Sequence, residues 1–120
     1  MQGRSVGRVI NIGVHTAIVE DRQLALQNAG HKVHNALTLR ELEQQLRLDH
    51  CDVIVVGHSL TPSEKLRAHT CAKQWNNDCP IVEIFIHAPD LPSATAHVPF
   101  DAGITALLAA VEGACGHHSR

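Results

Sequence analysis

Short β-branched runs alternate along the chain with longer segments in which apolar residues recur at helical spacing. The most continuous run, Asp52-Val-Ile-Val-Val-Gly57, is bounded by Asp and Gly and predicts a strand buried on both faces. Four other apolar runs predict strands at 8–14, 31–36, 80–86 and 96–98. Since a strand buried on both faces is typical of the middle of a parallel sheet, this run is the centre of the predicted fold.

The segments between the predicted strands carry helix start and stop signals. Thr38-Leu-Arg-Glu41 and Thr61-Pro-Ser-Glu64 are capping boxes, each of which predicts a helix start. A first helix is predicted over 16–29 with Gly30 as its stop, and Asp101 is the predicted cap of the last helix. The helix after Thr61 is expected to bury an apolar stripe that ends at Trp75.

Strands that alternate with helices indicate an α/β fold. We predict a three-layer, doubly wound, five-stranded parallel sheet of the flavodoxin type, with strand order 2-1-3-4-5. One domain is expected over residues 8–115, with a lead-in at 1–7 and a tail at 116–120. Glu83 lies inside an apolar strand run, and we expect it to stay solvated because the region that follows is short and rich in proline.

The composition narrows the range of possible functions. The net charge is −2, and two Phe, one Trp and no Tyr provide few stacking groups, so nucleic-acid binding is not expected. The four cysteines form no CxxC pair and no apolar run reaches transmembrane length, which predicts a cytoplasmic protein with reduced thiols and no membrane partner.

The chain resembles the receiver domain of response regulators over roughly residues 8–115. Four segments carry the resemblance, and they match the family's junction of helix 1 and strand 2, its strand 3, its strand 4 and its Lys-Pro-Phe segment: Leu26-Gln-Asn-Ala-Gly-His-Lys-Val33, Asp52-Val-Ile-Val-Val56, Pro80-Ile-Val and Pro99-Phe-Asp101. The resemblance implies a protein of two-component signalling and phosphorelay, in which Mg²⁺, carboxylates and a Lys support phosphoryl transfer to an Asp.

The positions that match the family's phosphorylation site carry other residues. By the resemblance, the acidic pair falls on Gly13 and Val14, the phosphoacceptor on Gly57, the hydroxyl residue on Phe85 and the Lys on Val98. Only 12 residues separate Phe85 from Val98, so the family's fourth helix is expected to be shortened or absent. The chain is therefore interpreted as a degenerate, stand-alone pseudo-receiver that binds another protein without Asp phosphorylation.

For this interpretation we predict no enzyme activity and no cofactor. The expected partner is another signalling protein, such as a histidine kinase or regulator, and self-association into a homodimer stays open. The expected contact surface is a loop rim at the carboxyl ends of the strands, together with the first helix, which faces the kinase in conventional receivers. The rim consists of His15, His58, Ser59, Leu60 and His87.

Two alternatives use the same edge of the sheet. His15, His58, His87 and His97 follow or flank strand ends that converge on one crevice, so a metal, pH or ligand sensor is one alternative. The second is a serine hydrolase, because Gly57-His-Ser59 resembles a nucleophile elbow followed by Asp90 or Asp101 and His97. Thr61 stands where that motif has its second Gly, and its Cβ would crowd the strained turn.

Overall fold

The computed structural model describes the backbone of residues 6–118 and the side chains of residues 6–115. Parts of the predicted lead-in (1–5) and tail (119–120) lie outside the described residues. The elements in chain order are β1 Arg8–Ile12, α1 Thr16–Asn28, β2 Lys32–Ala36, α2 Leu39–Leu48, β3 Val53–Val56, α3 Pro62–Trp75, β4 Ile81–Phe85, β5 Ala96–Pro99, a 3-10 turn Phe100–Ala102 and α4 Gly103–His118.

The five strands form one parallel sheet in the order β2-β1-β3-β4-β5, as predicted. Successive residues of β3 point to opposite faces of the sheet. Ile54 and Val56 pack with residues of α2 and α3, whereas Val53 and Val55 pack with residues of α1 and α4. The predicted three-layer arrangement is therefore confirmed, with two helices on each face.

The helix starts follow local chemistry. The Thr61 hydroxyl accepts the Glu64 amide and the Glu64 carboxylate accepts the Thr61 amide, so the predicted capping box is complete. Thr38 caps α2 in the same way, but the Glu41 carboxylate accepts the Leu37 amide instead. Gly30, just beyond the end of α1, has φ of 101°, a left-handed conformation that favours glycine.

Several sequence-based expectations about the helices are wrong. Asp101 lies inside the 3-10 turn and does not cap α4, because the chain tightens before the helix begins at Gly103. The first residues of the expected tail, 116–118, belong to α4, which continues as helix to His118. Trp75 is 42% exposed, since α3 buries Lys65, Ala68 and Ala72, and the indole packs under the Arg47 guanidinium at 5.3 Å.

Between β4 and β5 the structure has no helix, as expected for a missing fourth crossover helix. Segment 86–95 crosses over instead, and its Leu91 is only 1% exposed within the core cluster on the α2–α3 side. Among the described residues, no helix is both long and apolar enough to cross a membrane.

Candidate functional site

The carboxyl ends of β1 and β3 meet at two glycines, Gly13 and Gly57. The Gly57 amide donates to the Ile12 carbonyl at 2.9 Å, and the Gly13 amide donates to the Ala36 carbonyl at 3.1 Å. A Cβ placed on Gly57 would lie 2.9 Å from both the Ile12 carbonyl oxygen and Nη1 of Arg22. The backbone at the tip of β3 is thus packed too closely for a side chain.

Arg22 of α1 places its guanidinium at this tip. The residue is 5% exposed, and burial lowers its pKa because the charged form loses hydration. Its Nη1 donates one long hydrogen bond of 3.5 Å to Oδ1 of Asn11, and no described carboxylate comes within ion-pair distance. Asn11 is held in place through its own amide, which donates to the Val19 carbonyl at 3.0 Å.

His58 follows Gly57 and turns its ring toward the last strand. The ring packs against Phe100 with 4.1 Å between centroids and a tilt of 42°. Desolvation lowers the pKa of His58, and the nearby Arg22, Lys65 and His15 lower it further. Its Nδ1 is buried and has no hydrogen-bond partner among the described residues.

An apolar cavity of about 290 Å³ opens between α1 and the β5–α4 connection. Ile84 and Val98 pair in register on β4 and β5 and supply part of its wall. Arg22 lines the same cavity, so one buried cation borders an otherwise mainly apolar space. The other lining residues are Ile18, Asp21, Pro99, Phe100, Gly103, Ile104 and Leu107.

A second buried charge cluster lies on the opposite side of the sheet end. Nζ of Lys65 lies 2.8 Å from Oε2 of Glu83, and the two side chains are 2% and 0% exposed. Lys65 also contacts Oδ2 of Asp90 at 3.2 Å and donates to the Ile84 carbonyl at 3.1 Å. The contact with the Lys65 ammonium therefore offsets part of the cost of burying the Glu83 carboxylate.

Glu83 also anchors segment 86–95. Its carboxylate accepts the Asp90 amide at 2.7 Å and the Leu91 amide at 3.1 Å. Nε2 of His97 lies 2.7 Å from the Leu91 carbonyl, which assigns the proton to that nitrogen. The expectation that Glu83 is solvated is wrong, because the segment that replaces a helix folds over it and supplies donors.

Comparisons with known proteins show which solved structures share this fold. No protein-family model matches the chain, and no curated protein matches its sequence. Among solved structures, a CheY-like response regulator receiver domain protein from Methanospirillum hungatei JF-1 superposes with a TM-score of 0.84 at 16% identity, covering 96% of this chain and 98% of that one. The fold is that of a receiver domain.

Two further receivers give the same result. The N-terminal receiver domain of a two-component response regulator from Bacteroides fragilis has a TM-score of 0.81 at 24% identity and covers 92% of this chain and 98% of that one. The Vibrio cholerae chemotaxis protein CheY4 has a TM-score of 0.80 at 17% identity, covering 91% and 98%. The predicted receiver-like fold is therefore confirmed, although it differs from the usual receiver by the missing crossover helix.

The positions assigned to the receiver phosphorylation site lie at the carboxyl edge of the sheet, at or beside the strand ends. Gly13 and Gly57 are in contact, with 3.6 Å between a Cβ built on Gly57 and the Gly13 Cα, while the Val14 side chain is exposed. Val98 is 5% exposed and lines the cavity, and Ile84 rather than Phe85 is its neighbour there. The alternation of β4 explains the difference, since adjacent residues face opposite sides.

The residues of the predicted interaction rim differ in how far they are buried. His15 and His87 are exposed, and His58 and Ser59 are half-buried. Leu60 is 5% exposed within the core cluster, so it is not a surface residue and does not belong to the rim. Its side chain turns inward because the turn after β3 must cover the ends of β1 and α2 before α3 begins.

The four candidate histidine ligands are not gathered into a metal site. Across the residues that the structure describes, no group of three His, Cys, Asp or Glu side chains has metal-binding proximity. His97 is engaged with the Leu91 carbonyl and His58 packs on Phe100. The histidine spacing predicted proximity to one edge, but the ring directions are set by these separate neighbours.

The hydrolase arrangement is not assembled either. Oγ of Ser59 accepts the Val14 amide at 3.4 Å, and within residues 6–115 no histidine bonds to it. Asp90 faces Lys65, Asp101 lies in the 3-10 turn and His97 is bound to the Leu91 carbonyl. The Ser59 side chain therefore fixes the turn after β1 and has no base beside it.

Sequence reasoning missed the two buried cations. Arg22 lies between Val19 and Leu26 at positions i, i+3 and i+7, which is the spacing of a buried helix face. Lys65, Ala68 and Ala72 have the same spacing on α3, with the cation at the first of the three positions. A cation in register with an apolar stripe was the available signal, and it indicates a buried charge that requires a partner.

Proposed function

We propose that this protein is a stand-alone signalling module of the pseudo-receiver kind, which acts by binding another protein without phosphorylation of an Asp. The observation that carries the proposal is the position of the Arg22 guanidinium beside Gly57, the residue that matches the receiver phosphoacceptor. If Gly57 is the counterpart of the phosphoacceptor, as the resemblance implies, a cation and a closely packed glycine stand where the usual chemistry requires a carboxylate.

The chemistry of phosphoryl transfer supports the same conclusion. That reaction needs an acceptor oxygen, carboxylates that hold Mg²⁺ and a cation that neutralises the phosphoryl oxygens. Gly13 and Gly57 have no side-chain oxygen, and Val14 and Val98 are apolar. Arg22 would attract an anion there but would repel Mg²⁺, so this donor set does not suit the metal that receivers use.

The same edge of the sheet carries apolar side chains suited to a protein partner. Val14, Ile86, Phe100 and Ile104 follow the ends of β1, β4 and β5 and are between 43% and 56% exposed. His15 and His87 flank them. We propose a cytoplasmic signalling protein, such as a histidine kinase or regulator, as the partner on this edge, and we propose no catalytic activity.

The test of the phosphorylation-independent mode is chemical. The protein is incubated with acetyl phosphate and Mg²⁺ and its intact mass is recorded, with a conventional receiver domain as the positive control. We expect an adduct on the control and none on this protein. A labile phosphoryl adduct on this chain would contradict the proposal.

The partner surface needs a separate experiment. Ile86→Asp changes an exposed apolar side chain on the proposed edge, and Leu66→Asp changes one that is 54% exposed on α3. Crosslinking capture from the source cell should yield a signalling protein with the wild type and Leu66→Asp but not with Ile86→Asp. Equal capture by both variants would place the contact elsewhere.

The ligand-sensor alternative has one structural feature in its favour, the cavity beside Arg22. The metal version lacks a clustered donor set in the described part of the chain. A serine hydrolase is not favoured, because Ser59 has no histidine as hydrogen-bond partner within residues 6–115.

A further inference from the structure

The Arg22 guanidinium is a buried cation without a countercharge. A buried charge is normally paired, since the loss of hydration costs several kcal/mol per ion. Here the only hydrogen bond within the described chain is the 3.5 Å contact to Asn11, an uncharged amide. Lys65 shows the contrast, because two carboxylates accompany it at 2.8 and 3.2 Å. Arg22 therefore has unused capacity for an anion.

His58 adds a second unpaired polar group near this cavity, since its ring packs against Phe100, which lines the cavity. Its Nδ1 is buried and finds no partner in residues 6–115, although its ring is fixed against Phe100. A neutral imidazole can donate one hydrogen bond through Nδ1 when the proton is on that nitrogen. An oxygen anion at Arg22 would accept that bond, and it would reverse the electrostatic effect of the guanidinium on the ring.

The space next to these groups is apolar and of ligand size. The cavity that Arg22 borders measures about 290 Å³, and small-molecule sites in proteins begin at roughly 300 Å³. Ile84, Val98 and Leu107 form buried parts of its wall, whereas Phe100 and Ile104 are about half exposed. A few convergent polar groups beside an apolar space are typical of sites for small organic ligands.

The carboxylate of Asp21 in the cavity lining limits the charge that a ligand can carry. Asp21 lines the cavity and is exposed, and it forms no ion pair with Arg22. Its carboxylate would repel a ligand with two negative charges more than one with a single charge. A guanidinium binds either a carboxylate or a phosphate in a two-point geometry, so the repulsion from Asp21 is what favours a monoanionic carboxylate over a phosphate dianion.

We propose that the crevice between α1 and the β5–α4 connection binds a small organic carboxylate. Its carboxylate contacts Arg22 and His58, and its apolar body lies against Ile84, Val98 and Leu107. The inference does not rest on the proposed protein contact, because binding is measured on the isolated chain. It adds an input to the proposed module, namely a metabolite-sized acid sensed at the carboxyl edge of the sheet.

Phenylacetate is a suitable probe, since it joins a carboxylate to one apolar ring. Its binding is followed by amide chemical shifts, with phenylacetamide as the neutral analogue and phenyl phosphate as the dianionic one. We expect shifts at Gly57, His58 and Phe100, and at least tenfold weaker binding of phenylacetamide. Phenyl phosphate should bind less tightly than phenylacetate, and Asp21→Asn should reduce that difference.

Variants connect the binding to the proposed groups. Arg22→Gln keeps an amide that can bond Asn11 and should weaken phenylacetate at least tenfold, whereas Arg40→Gln on the exposed face of α2 should leave it unchanged. His58→Ala provides a second test if Arg22→Gln does not fold by circular dichroism. Phenylacetate is added up to ten times the Kd of a typical weak ligand, which is about 1 mM. The proposal is overturned if none of these amides shifts in that range, or if the amide analogue binds equally well.

Failure of this inference would differ from failure of the proposed function. A phosphoryl adduct with acetyl phosphate would refute the phosphorylation-independent mode and leave phenylacetate binding to be measured as before. Phenylacetate binding that is insensitive to Arg22→Gln and His58→Ala would overturn the crevice site and leave the partner capture unaffected.

Discussion

Nζ of Lys65 lies 2.8 Å from Oε2 of Glu83, and both side chains are almost completely removed from solvent. The pair joins α3 to the middle of β4, the strand that precedes segment 86–95. Because Glu83 also accepts the amides of Asp90 and Leu91, the ion pair sets the course of the segment that replaces that helix. A charged cluster thus performs the structural role that helix packing usually has.

The first prediction concerns the energy of this pair. Lys65→Met leaves the Glu83 carboxylate without its buried cation, and Glu83→Gln leaves the ammonium with Asp90 alone. Each should lower the free energy of unfolding by about 3–5 kcal/mol, the range for breaking one partner of a buried pair. Urea unfolding measures the loss, and the double variant should lose clearly less than the sum of the two.

The matched control uses charges that are exposed and outside the cluster. Lys32→Met and Glu20→Gln should each change the free energy of unfolding by less than about 0.5 kcal/mol. If the two buried substitutions proved as mild as these, or if their effects were simply additive, the pair would not stabilise the fold as described.

The second prediction concerns the segment that Glu83 anchors. In Glu83→Gln the Asp90 and Leu91 amides lose a charged acceptor, so their hydrogen exchange should accelerate by roughly tenfold, in line with about 1.5 kcal/mol per such bond. The Asp52 amide, which donates to the Arg8 carbonyl at 2.9 Å, is the reference at a distant site. Exchange is compared at denaturant concentrations that give the wild type and Glu83→Gln the same free energy of unfolding, so that equal acceleration at all three amides would contradict local release.

The third prediction uses two glycines with opposite surroundings. Gly57→Ala brings a Cβ within 2.9 Å of the Ile12 carbonyl oxygen, a backbone atom that cannot move away cheaply, and should cost about 1–3 kcal/mol. Gly113→Ala meets nothing within 4 Å and lies inside α4, so it should stabilise by about 0.5–1 kcal/mol. The midpoint of thermal unfolding should therefore fall in Gly57→Ala and rise in Gly113→Ala. A shift of the two midpoints in the same direction would contradict the packing described for Gly57.

The sheet could be predicted because its strands have simple local signals. Apolar runs bounded by Gly, Asp or Pro placed all five strands to within a few residues, and the alternation with helices gave the parallel order. The assignment of Gly13, Gly57 and Val98 to phosphorylation-site positions came from the resemblance to receivers and stays a prediction. Local patterns suffice where burial on both faces dictates residue type.

The site's charged groups could not be predicted in the same way, because their partners are distant in sequence. Glu83 pairs with Lys65, which lies 18 residues earlier on another element. Arg22 reaches Gly57 across the sheet end, a contact that only the packing of α1 reveals. Each charge was visible in the sequence, but the pairing, and for Arg22 its absence, depends on tertiary geometry.

The last prediction follows from the lowered pKa of His58. Its folded-state pKa lies below the ordinary value of about 6.5 because of desolvation first and the charge of Arg22 next. The unfolded chain therefore binds the proton more readily, so His58 contributes stability that is present above pH 6.5 and lost as pH falls through the folded pKa. His34 and His69, whose pKa values are also lowered, act in the same direction.

A two-dimensional NMR titration should show the His58 pKa below 6.5 in the wild type. The pKa should be closer to 6.5 in Arg22→Gln and unchanged in Arg40→Gln. A His58 pKa above 6.5 in the wild type would show that the guanidinium does not act on this ring.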